Sequence, residues 1–363
     1  MNERSLVVPG SGALMAIEGL AYVLTAPGRP VVAERRVWPS PADGEALVEV
    51  IGCGLCHTDF GYARGQVPTR KPPPLVLGHE VVGRVAEGPR KGQLVLIPAV
   101  LPCGKCAFCA AGRGNACPEQ QMPGNDIDGG FATHQIVRSA PLVPLGSLPA
   151  GFEVWKLGVV ADAVSTAFQA VRRGGVGKGD VAVVVGVGGV GGFTAQIAAA
   201  SGAHVLALDV NRQRLDLALR HGASLALEVR DLAPKAVKTE VRAFLKKHGV
   251  PGFRLRIFEC TGTPAGQTLA FGLLDRAATL VQVGYTPASI EVRFSNLMAF
   301  DATVHGTWGC ALEAYPAVID LVVSGAVALD PFVERAPMSR LNDHFDAMEA
   351  HKLERRLVLD PAA

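Results

Sequence analysis

The chain reads as a β-rich domain interrupted by a doubly wound α/β domain, on three observations. From about Gly19 to Pro149 it is Gly/Pro-rich with short β-like runs. From about Asp162 to Asp301 buried strands alternate with helical stretches, and after about His305 a helix and a strand-like ending return. In the first stretch EALVEVIG (45 to 52), LVLGHEVVGRVAEG (75 to 88) and QLVLIPAV (93 to 100) are separated by turn residues, as in an all-β or α+β module. In the second, VAVVVGV, HVLALDV, RLRIFECTG and AATLVQVG are strands, while VGGFTAQIAAASG and RQRLDLALRHGA are helices. Apolar strands alternating with helices make a parallel sheet covered on both faces. The tail supplies a helix, YPAVIDLVVSG, and HFDAMEAHKLERRLVLD, which ends as a strand. Residues 1–164 are thus expected to form the first domain, 165–304 an inserted dinucleotide-type domain, and 305–363 a return segment completing the first.

With 363 residues, 49% of them hydrophobic, the chain can bury two cores without covalent staples. The 35 basic and 33 acidic residues nearly cancel, so neither nucleic acid nor a membrane is expected as a partner. Mean hydropathy is positive, but every apolar run is broken short of the roughly 18–20 residues of a spanning helix. The N-terminal MNERSLVVPGSGALMAIEGL has no sustained apolar core before a small-residue cleavage site, so a cytoplasmic protein is expected. Residues before Met15 read as a loose leader, a misassigned start or an expression remnant. Eight cysteines in such a chain point to metal rather than disulfides.

Gly186, Gly188 and Gly191 stand in G-x-G-x-x-G order, with Gly189 and Val190 between them, directly after a strand and at a helix start. Such glycines permit a tight turn, close backbone approach to a pyrophosphate and close helix packing, while the helix N-terminus attracts phosphate. Asp209 ends the next strand, where a carboxylate accepts from the ribose hydroxyls and repels a 2′-phosphate, so NAD is favoured over NADP. Arg212 and Arg214 just beyond leave NADP open but read as solvated helix charges.

Cys103, Cys106, Cys109 and Cys117 lie in CGKCAFCAAGRGNAC, a spacing that can wrap one tetrahedral zinc and leave no open position. An iron–sulfur cluster or two disulfides are the competing readings. Two further segments carry ligand types: GCGLCHTDFGY, with Cys56, His57, Thr58 and Asp59, and LGHEVVG, with His79 and Glu80. Singly, each is weak, and a lone His before a Glu reads more readily as a satisfied polar pair than as a ligand. Cys53 continues a strand and reads as a packed core thiol, and Cys260 and Cys310 are isolated.

CHTD, GHE, the cysteine loop and GVGGVG occur in the order and spacing of the zinc-containing medium-chain alcohol dehydrogenases, which the chain resembles over nearly its whole length. The resemblance implies a GroES-like, partly open β-barrel catalytic domain with a Rossmann domain, NAD as cofactor, and two zinc ions per subunit, one catalytic and one structural. It implies that Cys56 and His79 bind the catalytic zinc, that Glu80 can approach it, and that Asp59 orients His79 from behind. Asp162, in DAVSTAF, stands where the family often has a third cysteine ligand; carboxylate oxygen is also an acceptable zinc ligand. Whether Glu80 or Asp162 binds the resting metal stays open.

By the same resemblance zinc would acidify the alcohol hydroxyl, hydride would pass to NAD, and Thr58 would take the proton. Gly61 occupies the family's relay-histidine place, so the outer relay must differ, through water or His57; the position of His57 also implies cofactor contact. Arg356, with Arg355 as an alternative register, corresponds to an arginine that pairs with the pyrophosphate. Thr166 is expected at the nicotinamide or in a helix cap.

MPGNDIDGGFATH and VVADAVSTAFQAV further resemble the bacterial 6-hydroxycyclohex-1-ene-1-carbonyl-CoA dehydrogenases of anaerobic benzoyl-CoA degradation. That implies an alicyclic hydroxyacyl-CoA substrate, whose phosphates Arg64, Arg70 and Lys71 could meet, unless these form a solvated surface loop. A general alcohol or polyol dehydrogenase is the alternative, and a non-catalytic NAD-binding protein the rival of another class. A homotetramer or homodimer is expected from the resemblance.

Overall fold

The computed structural model describes residues 17–363; the expected leader before Met15 lies outside them. The chain opens with β1 (Ile17–Leu24), β2 (Val32–Trp38), the long strand β3 (Glu45–Gly54) and the short helix α1 (His57–Ala63). Then come β4 (Leu75–Val76), β5 (Glu80–Glu87), β6 (Leu94–Ile97), the single-turn helix α2 (Ala107–Ala110), β7 (His134–Arg138) and β8 (Val143–Pro144). A 3-10 stretch, Val154–Ala161, leads into α3 (Ala163–Arg173) and β9 (Val181–Val185). The alternation continues through α4 (Gly189–Ala200), β10 (His204–Asp209), α5 (Arg212–Arg220), β11 (Leu225–Glu228), α6 (Pro234–Lys247) and β12 (Leu255–Glu259). After α7 (Pro264–Gly272), β13 (Thr279–Gln282), α8 (Ser295–Phe300) and β14 (Thr303–Gly306), the chain closes with α9 (Tyr315–Val323), β15 (Val333–Pro337), α10 (Leu341–Glu349) and β16 (Arg356–Asp360).

These elements make the expected class: a doubly wound parallel sheet inserted into a β-rich domain. The parallel sheet has the order β11-β10-β9-β12-β13-β14, and β9 lies where the connections change direction. The larger β-rich sheet runs β15-β16-β3-β5-β6-β8, with β7 also on β3. Because a strand's side chains alternate, Val181, Val183 and Val185 pack on one face of the parallel sheet with Val241 and Phe244 of α6. Ala182 and Val184 pack on the other with Phe193 and Ala167. That second core also holds Val82, Leu96 and Val358 of the β-rich sheet, so one apolar core joins the two domains beneath the cleft. Among the described residues no helix is long and apolar enough to cross a membrane.

Local chemistry sets the helix starts that face the cleft. Thr263 caps α7 by accepting from Gly266 N at 3.1 Å, with Pro264 as its first residue. Gly188 opens α4, and Gly186 before it has φ +85°, a left-handed turn that suits glycine. A Cβ on Gly191 would stand 1.8 Å from Gly186 O, so only glycine lets the helix approach the turn. Gly191→Ala is expected to lower unfolding free energy by about 1–3 kcal/mol through overpacking; a urea midpoint equal to wild type would contradict this.

Candidate active site

β3 runs into α1, and the residues at this corner are held by one carboxylate. Asp59, fully buried, accepts from Cys56 N and Gly78 N, each at 3.0 Å, so it ties the start of α1 to the loop before β5. Its Oδ1 also lies 3.0 Å from His79 Nδ1. Nδ1 is therefore the ring nitrogen turned to Asp59, and Nε2 is the one turned to Asp162, 3.5 Å from its Oδ2. Cys56, His79, Glu80 and Asp162 bring one ligand atom each within 4.8 Å of the others. Thr58 Oγ1 lies 3.6 Å from Cys56 Sγ, at the edge of the cluster.

Asp162 arrives from the 3-10 stretch as the residue before α3. The hydroxyl of Thr166, one turn into α3, donates to the side chain of the N-cap residue, Asp162 Oδ1, at 2.8 Å. The reason is helical spacing, which stacks residues four apart on one face.

Two carboxylates, Asp59 and Asp162, flank the His79 ring. Burial opposes charge on His79, yet Asp59 and Asp162 outweigh it and raise its pKa well above the usual imidazole range. Burial alone would raise Asp162, but His79, Arg356 and Thr166 bring it down to about 2. A proton on His79 thus stands where a divalent cation would compensate the same charges. The set of thiolate, imidazole and carboxylate suits zinc.

Glu80, with no exposed surface, is gripped by Arg356 through two hydrogen bonds, one of them Nε to Oε2 at 2.9 Å. Burial raises the Glu80 pKa to about 7 against the pull of Arg356. Of the two neighbouring arginines, Arg356 turns to Glu80 and Arg355 is exposed. A Cβ on Gly189 would stand 2.7 Å from Arg356 Nη1, so one guanidinium spans from the metal cluster to the glycine turn.

At that turn Asp209 accepts from Val187 N at 2.8 Å and from Asn211 N at 2.9 Å, keeping a carboxylate beside the free N–H groups of Gly189, Val190 and Gly191. Arg212 is a solvated helix charge as expected, paired with Asp216 at 2.9 Å. Arg214 is not. Its Nη1 lies 3.4 Å from where a Cβ on Gly188 would be, against the glycine turn, because its place two residues along α5 turns it toward the cleft. His57 begins α1 at an exposed position facing the same cations; desolvation by the protein around it and the fields of Arg356 and Arg214 bring its pKa down to about 4.

The cysteine quartet forms a separate lobe. Neighbouring sulfurs of Cys103, Cys106, Cys109 and Cys117 lie 3.5 to 3.9 Å apart. Zinc–sulfur bonds of about 2.3 Å in a tetrahedron give sulfur–sulfur edges of about 3.8 Å. The thiols are all free, which removes the disulfide reading. Trp308 docks the lobe to the end of the parallel sheet: Asn115 Nδ2 donates to its carbonyl at 2.9 Å, and its indole N–H donates to Gln120 at 3.1 Å.

Cys53 and Cys310 are buried thiols, Cys260 packs beside Thr194, and Gly61 lies buried within α1. The basic residues considered for CoA phosphates are compensated: Arg64 pairs with Asp346 and Glu349, Arg70 with Asp126, and Lys71 with Asp128. Their carboxylate partners come from distant segments, out of reach of a local reading.

Residues 42–147 match the family described as the alcohol dehydrogenase GroES-like domain, and 189–324 that described as zinc-binding dehydrogenase. An alcohol dehydrogenase of Rhizobium meliloti is 31% identical over 343 residues, 92% of this chain and 96% of its own. The chain belongs to the zinc-binding medium-chain alcohol dehydrogenase family. This dehydrogenase is thus an oxidoreductase acting on CH–OH groups. The alcohol dehydrogenase of the hyperthermophilic archaeon Aeropyrum pernix superposes with TM-score 0.83 at 27% identity, covering 94% of this chain and 100% of that one. The acetophenone reductase of Geotrichum candidum, solved in complex with NAD, superposes with TM-score 0.81 at 25% identity over 94% and 97%.

Removing Arg356 from the dehydrogenase would leave Glu80 buried without its partner. Arg356→Met is expected to cost about 3–5 kcal/mol at neutral pH. A carboxyl whose folded pKa is raised binds its proton more tightly in the folded state, so stability falls as pH rises from 4.5 through about 7. Without the guanidinium that window moves upward, and part of the loss should return on acidification. Urea midpoints of the metal-free variant that are the same at pH 6 and pH 8 would refute this.

Proposed function

We propose that this enzyme oxidises a secondary alcohol to a ketone with one catalytic zinc, one structural zinc and NAD. One observation carries the reading: Arg356 touches both Glu80 in the metal cluster and the glycine turn at Gly189, so metal and dinucleotide sites open on the same cleft. Cys56, His79 and Asp162 would hold the catalytic zinc, with Glu80 as the carboxylate that can approach it, and the cysteine quartet would hold the structural one. When bound, zinc supplies the Lewis acidity that makes the alcohol hydroxyl acidic near neutrality, and NAD accepts the hydride.

The chain's own residues do the rest. Asp59 keeps the proton of His79 on Nδ1 and so keeps Nε2 basic. Thr166 turns Asp162 toward His79, whose Nε2 lies 3.5 Å from Asp162 Oδ2. Thr58 presents a hydroxyl beside Cys56 that accepts the substrate proton and passes it to the cofactor ribose or water, Gly61 having no side chain to continue the relay. Arg356, Arg214 and the N–H groups of Gly189, Val190 and Gly191 meet the pyrophosphate, with neutral His57 beside them, and Asp209 takes the adenosine ribose.

A secondary alcohol is favoured because the acetophenone reductase, named for a ketone substrate, shares the fold over nearly the whole chain. The alicyclic hydroxyacyl-CoA is a narrower reading that rests on two sequence segments, and the paired state of Arg64, Arg70 and Lys71 withdraws its charge argument. A homodimer is favoured for the assembly. β14 is an open edge of the parallel sheet, and Val304 on it, like Phe294 and Met298 shortly before it in the chain, is an exposed apolar side chain. Eight free thiols fit the reducing cytoplasm.

The test is NADH formation from NAD with 1-phenylethanol, cyclohexanol and 6-hydroxycyclohex-1-ene-1-carbonyl-CoA, with zinc measured on the same sample. Turnover of the free alcohols with two zinc ions per chain is expected; turnover of the CoA ester alone would establish the narrower reading. No NADH from any alcohol by zinc-loaded enzyme would overturn the proposal. Asp59→Asn should weaken one of the two zinc sites by about 10–100-fold in chelator competition. Val304→Lys should convert dimer to monomer in light scattering.

A further inference from the structure

β12 ends in a buried acidic side chain that the proposed reaction does not use. Glu259 is fully buried, yet its partners are neutral: Oε1 accepts from Thr261 N at 2.8 Å, from the Thr261 hydroxyl and from Gly262 N at 3.2 Å, and Oε2 accepts from Gln282 Nε2 at 2.7 Å. Four donors converge on its two carboxyl oxygens. Glutamine has the same shape, but its NH2 would face either the three donors of residues 261–262 or the amide of Gln282.

Those bonds fold the segment after β12 back against its neighbours. Thr261 is pressed on the glycine turn: a Cβ at Gly186 would stand 2.6 Å from Thr261 Cγ2. A Cβ at Gly262 would stand 2.7 Å from Tyr285 O, and one at Gly284 2.2 Å from Gly262 N. The main-chain carbonyl of Glu259 accepts from Val283 N at 3.0 Å and Gly284 N at 2.9 Å. One residue thus joins the carboxyl ends of β9, β12 and β13, at the point of a doubly wound sheet where ligands bind.

The half of the cofactor that crosses this point follows from the topology. Asp209 ends β10, on one side of β9. Asp162 lies at the start of α3, and α3 covers the other side: its Gly174 end meets Phe258 of β12 and Val281 of β13, and Arg173 donates to Gly306 O of β14 at 2.8 Å. A dinucleotide with its adenosine ribose at Asp209 and its reactive ring at the Cys56–His79–Asp162 cluster lays the nicotinamide half across residues 261–262 and 283–285.

We infer that Glu259 is a positioning residue for the nicotinamide half of the cofactor, holding Thr261–Gly262 and Val283–Tyr285 in one fixed wall. The inference rests on the NAD-dependent reading of the cleft. It acts through backbone placement, with no contact between Glu259 and the reacting atoms.

The test compares wild type with Glu259→Gln as zinc-loaded, full-length enzymes. NADH binding is followed by its fluorescence, AMP binding by competition, and kcat and KM are measured with 1-phenylethanol. The variant should keep its zinc and bind AMP within about twofold of wild type, bind NADH on the order of tenfold more weakly, and lose kcat. Gln282→Met, which removes one donor and keeps the carboxylate, should show the same selective pattern with a smaller loss, and serves if the first variant fails to fold. Unchanged NADH binding, or equal weakening of NADH and AMP, would overturn the inference while leaving the enzyme's NAD dependence standing. Wild-type enzyme that binds zinc but no NADH would instead remove the NAD reading beneath it.

Discussion

The arrangement of the cleft depends on the buried pair of Arg356 with Glu80. A guanidinium and a carboxylate taken out of water are tolerable only together, and the planar fork of arginine satisfies both carboxylate oxygens at once. Sheet register brings them together. Val358 of β16 and Glu80 of β5 both pair with Gly54 of the central strand β3, so the two side chains converge across that glycine. A Cβ there would stand 2.0 Å from Glu80 Oε2. Three strands far apart in sequence thus build the floor between the metal cluster and the glycine turn.

From that floor the two proposed metal sites diverge in chemistry. The cysteine quartet closes on itself, four soft donors within a fifteen-residue loop, and its lobe is pinned by Trp308. The other cluster mixes a thiol, an imidazole and carboxylates drawn from three segments, with acceptors and a hydroxyl arranged behind and beside them. The pairing of imidazole with carboxylate explains why His79 is pushed up while Asp162 is pushed down: each responds to the other. A cation added between them relieves both. In the cofactor half of the cleft the balance reverses. Arg356, Arg214 and a helix N-terminus face inward, and His57 stays neutral among them.

Much of this was legible along the chain because the signals are local. A run of five apolar residues followed by glycines and a helix is a strand–turn–helix wherever it occurs, and four cysteines within fifteen residues converge whatever surrounds them. The fold class, the glycine turn and the quartet are of this kind, whereas Cys56, His79 and Asp162 stood out as candidate ligands only through the family resemblance. Glu259 could also have been suspected, since a lone carboxylate ending the buried strand LRIFE needs donors from somewhere.

The amino-acid sequence by itself determined which segments are strands and helices and which residue types stand at their ends, because period, turn chemistry and ligand spacing act over a few residues. Only the tertiary structure decided who meets whom: Arg356 on Glu80, Arg214 on the glycine turn, Thr166 on Asp162, and Arg64, Arg70 and Lys71 on acidic partners rather than in a free basic patch. Those pairings cross tens to hundreds of positions or hinge on the rotation of one helix, and buried charge is settled by whatever the folded sheet register sets beside it.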